Sequence, residues 1–389
     1  MSGMIAVYEF LGDEPIEDVI TCLHFKVDKV VYFGYHSTIQ KRKTVTEAFL
    51  KKYCGVQTVQ FHELSRKDLQ STLKTMRAEI RHEKSLGGKT YFDITGGEDL
   101  ILVAFGMLSQ EFDTPMHLFD IPADRLIELD AGAKTNISRD VPAQRVELNL
   151  ERLIELRGGV INWDLHKELK EDDPDFAEDA GKIWRIAKEN WDFWNPLSGL
   201  LREHLLPDIN LRVERSTPEV IRILRESKNR LDSPEQLGRL LDLLAAEGLV
   251  ENVVHTQERF GFKYKSEAVK QCLWDGGSIL ELYTYVNEKD KYDDCKVGIH
   301  LDWDGVIHSQ PGMDVLNEID VLALKGNVPV FMSCKSGRMD GKKALSSLYE
   351  LETVARRFGG KYAKKILISA QPIESVYLER ATEMDIEVR

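Results

Sequence analysis

The residues that could do chemistry gather towards the C-terminal end of the chain. The stretch NEIDVLALKGNVPVFMSCKSG, 317–337, holds two apolar runs joined by Lys325-Gly326-Asn327. That turn chemistry pairs the runs as a β-hairpin. Strand side chains alternate, so Glu318, Asp320 and Leu322 are expected on one face of the first strand. Ser333 and Lys335 are expected on one face of the second, with Cys334 turned into the core. Glu281, in the preceding helical run SILELYTYV, can add a further carboxylate. Carboxylate oxygens bind a hard divalent cation that keeps several of its waters. Such an ion polarises a phosphate and acidifies a bound water. A lysine beside it orients that water or stabilises the charge developing on phosphorus. Glu281, Asp320 and Lys335 therefore suit metal-assisted phosphodiester hydrolysis. The blander reading of the same residues is an edge hairpin with solvated charges.

A second constellation lies near the other end. DITGGEDLILVAFG, 93–106, reads as strand, Thr-Gly-Gly, helix. The glycines let backbone approach a ligand closely. The helix N-terminus offers free N–H groups and partial positive charge to a phosphate. Thr95 adds a hydroxyl. No G-x-G-x-x-G is present, and Gly34-Tyr35-His36-Ser37-Thr38 follows the second strand without an acidic residue, so NAD binding is not expected. A helix cap without a ligand is the plainer alternative. GIHLDWDGVI, 298–307, resembles the first motif of haloacid-dehalogenase-type phosphatases, with Asp302 as nucleophile and Asp304 as general acid. Only 20 residues follow Ser369, and no later Lys and acidic pair completes that site. An Asp304-Gly305 hairpin turn explains the motif more simply.

The elements that position these groups follow from composition and periodicity. The chain has 389 residues, 42% hydrophobic and 30% charged, which is globular composition with room for two or three domains. A net charge of −13 argues against a protein coated by duplex DNA. Within that acidic bulk, nine basic residues (Lys335, Arg338, Lys342, Lys343, Arg356, Arg357, Lys361, Lys364, Lys365) face three acidic ones across 335–365. They make either a solvated helix face or a phosphate-tracking rim suited to single strands. Five scattered cysteines form no CxxC pair and fit a reducing compartment. The N-terminal stretch lacks a basic n-region and is not expected to be a secretory signal; no apolar run is long enough to span a bilayer.

Residues 1–145 alternate strand-like and helix-like runs, the mark of an α/β, Rossmann-like sheet. Residues 146–265 lose that rhythm. Trp163, Trp184, Trp191 and Trp194 cluster there and are expected to anchor a core or an interface. The helix SPEQLGRLLDLLAAEG, then Leu-Val and a hairpin, reads either as a winged-helix-like end or as a helical connector. Residues 266–389 read as helix, four strand-like runs (KVGIHL, GVIHS, NEIDVLALKG, VPVFMSCKSG), helix, and a last strand KKILISA.

Helix with Glu281, strand with Asp320, strand with Lys335, helix, strand: this order resembles the core of the PD-(D/E)XK restriction-endonuclease-like nucleases over about 120 residues. One departure is Ser333, which stands where that pattern has an acidic residue. Together with Thr95-Gly96-Gly97, the full chain is similar to the CARF–PD-(D/E)XK effector nucleases of type III CRISPR systems. The resemblance implies an N-terminal Rossmann-like CARF sensor, a connector, and a nuclease domain, with the three boundaries given above. It implies a homodimer armed by a cyclic oligoadenylate, usually cyclic tetra-adenylate, bound by Gly12, Asp13, Ser37, Thr38, Thr95, Gly96 and Gly97. It implies Mn²⁺ or Mg²⁺ at Asp320, Glu281, Glu318 and the Cys334 backbone carbonyl, with Glu281, Asp320, Lys335, Glu318 and Ser333 as the catalytic set. Expected substrates are single-stranded DNA or RNA and supercoiled duplex DNA, which is nicked. The expected setting is the cytoplasm of a prokaryote, with no membrane attachment. Two rivals stay open: a CARF-type transcription regulator with an inactive nuclease fold, which Ser333 keeps alive, and the phosphatase.

Overall fold

Lys29 to Gly34 is buried along its whole length, as a strand covered on both faces must be. It is one of seven strands in the N-terminal sheet of the computed structural model, which describes residues 4–65, 68–85, 87–132, 134–166, 169–227, 230–231, 233–302, 305–308 and 316–389. In chain order the elements are β1 (Ile5–Phe10), α1 (Ile20–His24), β2 (Lys29–Gly34), α2 (His36–Phe49), β3 (Thr58–Glu63), α3 (Leu69–Ser85), β4 (Lys89–Asp93), α4 (Asp99–Phe112), β5 (Met116–Asp120), β6 (Arg125–Leu129) and β7 (Asn136–Asp140). Their order in space is β3-β2-β1-β4-β5-β6-β7, parallel from β3 to β5 and antiparallel beyond. The parallel part is the doubly wound arrangement read from the sequence. β7 escaped that reading because all five of its residues are exposed, so no hydrophobic pattern marks it.

The middle of the chain supplies α5 (Leu150–Leu156), β8 (Val160–Ile161), α6 (Phe176–Glu189), α7 (Trp191–Glu203), β9 (Arg212–Ser216), α8 (Thr217–Ser227), α9 (Pro234–Ala246), β10 (Val250–His255) and β11 (Arg259–Tyr264). From α7 onward the order is helix, strand, helix, helix, hairpin, with β9, β10 and β11 in one small sheet. That order is the one winged-helix units share. α9 starts where Ser233 Oγ accepts the Gln236 N–H at 3.2 Å and Pro234 opens the first turn.

The C-terminal part holds α10 (Glu267–Trp274), α11 (Ile279–Glu288), β12 (Asp294–Asp302), β13 (Leu316–Lys325), β14 (Val328–Lys335), α12 (Gly341–Phe358), β15 (Lys364–Ser369), α13 (Ser375–Glu383) and β16 (Ile386–Val388). Its sheet runs β16-β15-β14-β13-β12-β8, so β8, from the connector, closes one edge. Two expectations are corrected. Gly305–His308 is no strand, and Asp304 lies outside the described residues. KKILISA is not the last strand, because α13 and the short β16 follow, and β16 pairs parallel to β15.

This sheet is the middle layer of the molecule. Leu322, Leu324 and Phe331 on one face share a core with Val7, Leu11 and Val19 of the N-terminal unit. Val321, Ala323, Val330, Met332 and Cys334 on the other face share a core with Trp184, Trp194 and Leu241 of the connector. Trp184 and Trp194 are thus core anchors, as expected, and Trp191 packs half-buried against the same core, but Trp163 is exposed and anchors no core. All five cysteines are free and buried. No helix among the described residues is long and apolar enough to cross a membrane.

Candidate active site and ligand-binding loops

β13 and β14 pair from Lys325↔Val328 up to Val321↔Met332. Beyond that point β13 keeps its register with β12 down to Leu316, and β14 keeps its register with β15 up to Lys335↔Ser369. The two central strands therefore part into a fork. Asp320 stands at the branch, and its carboxylate substitutes for the missing backbone partner. Asp320 Oδ2 accepts the Cys334 N–H at 2.5 Å and the Ser333 hydroxyl at 3.2 Å, with Lys335 Nζ 3.7 Å away. The structure thus brings together Asp320, Ser333, Cys334 and Lys335.

Strict alternation fails here. Val321 and Ala323 belong to the connector-side core, but Ile319 joins the core on the opposite face. The neighbouring strand shows the same offset between Val297 and Ile299, where Gly298 sits at φ 60°. Only a residue without Cβ adopts that conformation freely. The offset turns Glu318 away from the Leu322 face. It lines instead a cleft with Glu281, Leu282, His300 and Gly298. Glu281 rides on α11, whose Thr284 hydroxyl contacts Cys334 Sγ at 3.5 Å. Burial pushes the Cys334 thiol up, with Asp320 and Glu281 adding to the effect and Lys335 opposing it.

His300 was not singled out from the sequence. It pairs across the strands with Glu318, with Nε2 4.0 Å from Glu318 Oε2, and its Nδ1 is buried without a hydrogen-bond partner. The cross-strand register is what would have exposed it.

The donor set is hard oxygen, which suits Mg²⁺ or Mn²⁺. Among the described residues, no three His, Cys, Asp or Glu side chains converge on one point. A Mg²⁺-type ion needs only one or two carboxylates and completes its shell with water. Asp320 with a neighbouring backbone carbonyl meets that requirement, and Glu281 and Glu318 line the cleft alongside.

The basic residues of 335–365 divide between two ends of α12. Arg338, Lys342 and Lys343 lie at its start, next to Lys335. Arg357 donates to the Arg157 carbonyl at 3.0 Å, and Lys361 Nζ lies 2.6 Å from Glu17 Oε1. Lys365 is held by Glu352 at 2.6 Å. Of the two readings, a phosphate-tracking rim has room only at the start of α12, because Arg357, Lys361 and Lys365 are held by groups of the chain itself.

In the N-terminal sheet the strand order reverses between β1 and β4. Ligands of such sheets bind at that switch point, beyond the strand C-termini. Gly12 and Asp13 follow β1, and Thr95, Gly96 and Gly97 follow β4, so these loops flank it. The Gly12 N–H donates to Asp18 Oδ1 at 3.1 Å, and its carbonyl accepts from Arg42 at 2.6 Å. Thr95 N–H donates to Asp93 Oδ1 at 2.7 Å, while Thr95 Oγ1 accepts the Phe119 N–H at 2.9 Å. Gly97 has φ 141°, and a Cβ there would sit 2.9 Å from Leu102. Ser37 is exposed at the start of α2, whereas Thr38 is buried.

A family model for the Card1-like endonuclease domain matches residues 268–388. Over residues 268–388 the chain is similar to Card1-like endonuclease domains. The chain therefore carries a nuclease domain, with Glu281, Asp320, Ser333 and Lys335 inside it. No curated protein matches the sequence. Among solved structures, protein VC1899 from Vibrio cholerae superposes with a TM-score of 0.73 at 16% identity, covering 99% of this chain and 93% of that one. Can2 from Sulfobacillus thermosulfidooxidans, solved in complex with cyclic tetra-adenylate, gives 0.66 at 15%, covering 99% and 95%. A type III CRISPR defence DNA nuclease activated by cyclic oligoadenylate gives 0.53 at 15%; this chain covers 52% of its length and is itself covered to 98%. The fold of the chain, from the N-terminal sheet to the C-terminal one, is that of these proteins.

The phosphatase motif does not assemble. Asp302 is buried at the end of β12, and β13 and β14 separate that strand from β15. Three strand spacings are roughly 14 Å, too far for Asp302 and Ser369 to share one phosphate.

Proposed function

We propose that this chain is a nuclease of type III CRISPR antiviral defence, activated by a cyclic oligoadenylate and dependent on a divalent metal. The observation that carries the reading is the β13–β14 fork, where Asp320 and Lys335 meet at 3.7 Å inside a Card1-like endonuclease domain. Residues 1–145 act as the sensor, 146–265 as the connector and 266–389 as the nuclease. The activator is cyclic tetra-adenylate, a reading supported by the likeness to Can2, which was solved with that ring. Gly12, Asp13, Ser37, Thr38, Thr95, Gly96 and Gly97 form its contacts.

A twofold ring suits a C2 dimer, in which one patch meets its own copy. α4 carries an apolar stripe open to solvent, Leu100 (42% exposed), Val103 (50%) and Met107 (47%), at helical spacing next to the Thr95–Gly97 loop. That stripe supports a homodimer. The five free cysteines suit a reducing cytoplasm.

A bound Mn²⁺ or Mg²⁺ would polarise the scissile phosphate and supply an acidified water. Asp320, the Cys334 carbonyl, Glu281 and Glu318 are the groups that would hold it. Lys335 offers a positive charge to the phosphoryl oxygens as charge develops on them. The Ser333 hydroxyl and the Cys334 N–H hold the Asp320 carboxylate at the mouth of the fork, so its orientation is set before substrate arrives. Substrates are single-stranded DNA or RNA, and supercoiled duplex, which is nicked.

The regulator reading is weaker. In the winged-helix order α9 is the helix that would read DNA, and its exposed side chains are Glu235, Arg239, Asp242, Leu243 and Ala246. A helix with that charge does not neutralise phosphates. The deciding experiment uses quenched fluorescent single-stranded DNA and RNA reporters with Mn²⁺, with and without cyclic tetra-adenylate. Cleavage only with the ring, lost in Asp320→Ala, supports the reading. Ring binding without cleavage in any condition overturns the nuclease assignment in favour of the regulator.

A further inference from the structure

The Trp-rich segment of the connector serves more than a core. Trp194 and Trp184 are buried, but Trp191 and Phe193 are only half-buried. Both line a groove of about 640 Å³ with Lys188, Glu189, Asn190, Asp192, Arg338, Gln371 and Pro372. The position of the groove is what matters. Arg338 follows Lys335 by three residues. Gln371 follows Ser369, which pairs with Lys335, and the Ala370 N–H donates to the Lys335 carbonyl at 3.0 Å. The groove therefore opens at the ends of β14 and β15, directly past the fork. Aromatic contacts also join the groove to α11. Trp191 meets Trp184 edge to face at 6.2 Å, and Trp184 stacks at 5.8 Å on Tyr283, two residues from Glu281 on α11.

The charges of the groove are balanced rather than strongly basic. Lys188 and Arg338 stand against Glu189 and Asp192, and Asp192 is already paired with Arg230 at 2.9 Å. An anionic chain held here must gain from more than charge. Half-exposed aromatic rings flanked by cations are what holds single strands, because every base has a π-face to stack. A duplex hides those faces.

We propose that Trp191, with Phe193, Lys188 and Arg338, forms a stacking platform for the bases of a single-stranded nucleic acid running out of the active-site fork. The platform rests on the nuclease reading above only for its occupant, and its test reads binding rather than cleavage, so a dead nuclease and an absent platform are told apart.

The test uses the full-length protein with cyclic tetra-adenylate and EDTA. Fluorescence anisotropy compares a labelled 12-nucleotide oligothymidylate with an abasic strand of equal length. Trp191→Leu keeps apolar bulk against Trp184 but loses the stacking face; Trp191→Phe keeps a smaller face. The expected result is a roughly tenfold loss of affinity for the base-bearing strand in Trp191→Leu. Binding of the abasic strand stays within about twofold, and Trp191→Phe recovers most of the loss. Arg338→Ala weakens both strands alike and lowers the salt dependence by about one ion. Equal affinity of wild type and Trp191→Leu for the oligothymidylate overturns the proposal. So does a loss in Trp191→Leu that is the same for both strands.

Discussion

The Tyr362 hydroxyl donates to Glu17 Oε1 at 2.5 Å, which ties the nuclease domain to the loop that follows β1. The contact is one of a set. Lys361 Nζ lies 2.6 Å from the same Glu17 oxygen, and the Lys361 N–H donates to Glu14 Oε2 at 2.9 Å. Arg157 of the connector pairs with Glu14. Gly360 makes this approach possible, since it has φ 72° and any Cβ there would overlap Arg157 and Glu14. On the side of the N-terminal sheet a Cβ on Gly96 would sit 2.8 Å from Glu17 Oε2. Glu17 thus lies between the glycine loop after β4 and the turn that feeds β15. β15 spans six residues, roughly 17–20 Å, and pairs with the Lys335 strand at its far end.

That arrangement predicts loss of coupling without loss of binding. Tyr362→Phe and Glu17→Gln lower the activation by cyclic tetra-adenylate by about tenfold, within the usual span of allosteric coupling. Ring affinity, read by calorimetry, changes by less than about threefold. Full activation in both variants would show that the signal takes another route.

At the fork, Asp320→Ala and Lys335→Ala each reduce ring-activated cleavage by at least about 100-fold, the scale for losing one transition-state contact. Ring binding is unchanged. Ser333→Asp adds a second carboxylate beside Asp320 and lowers the Mn²⁺ concentration for half-maximal cleavage by about tenfold. An unchanged metal requirement in Ser333→Asp would mean that the hydroxyl position lies outside the metal's reach.

Gly12 and Gly97, in the loops after β1 and β4, separate backbone strain from the proposed ligand contact. Gly97→Ala must place a Cβ at φ 141° and 2.9 Å from Leu102, and destabilises the fold by about 1–3 kcal/mol. Gly12→Ala meets nothing nearer than 3.9 Å and has ordinary φ, so its Tm stays within a degree or two of wild type. Thermal melts of the two variants check this. Any loss of ring affinity in Gly12→Ala then reports on the ligand alone.

Buried acidic groups of the N-terminal unit give the fold a pH dependence. Burial pushes the Asp18 carboxyl up to about 7, against the opposing pull of Arg42 at 2.7 Å. Burial also pushes Glu9 up, with Asp93 and Asp18 adding. In the unfolded chain both titrate near 4. Between roughly pH 4 and 7 the folded state therefore binds more protons than the unfolded one, and stability falls as pH rises through that window. Asp93 acts the other way. Its burial is outweighed by His117 and by hydrogen bonds from Thr21 and Thr95, so its contribution is lost only at lower pH. Tm is expected to fall from pH 5 to 7.5 in the wild type and to fall less in Asp18→Asn. A Tm that rises across that range would contradict the assignment.

Much of the chemistry was legible in residue order alone. Asp320 and Lys335 lie in apolar runs around a Lys-Gly-Asn turn, and local pattern is enough to make such runs a hairpin. The Thr95-Gly96-Gly97 step between a strand and a helix is equally local. Buried parallel strands such as β2 announce themselves by continuous hydrophobicity. What alternation could not supply was the fork. The parting of β13 from β14 and the offset at Gly298 depend on which strands each one pairs with, and register is a long-range property. For that reason Glu318 was assigned to the wrong face and His300 went unnoticed. The exposed β7 and the two-residue β8 carry too little apolar pattern to be seen. The run of basic residues has one composition but two fates, because α12 runs from the C-terminal end of β14 back to the N-terminal end of the parallel β15. The Glu17–Tyr362 contact joins residues 345 positions apart, and the Trp191 groove joins a connector helix to the ends of β14 and β15. Sequence determined which groups were available and which local element each one rides on. Only the packing of three sheets in one molecule decided which of them face each other.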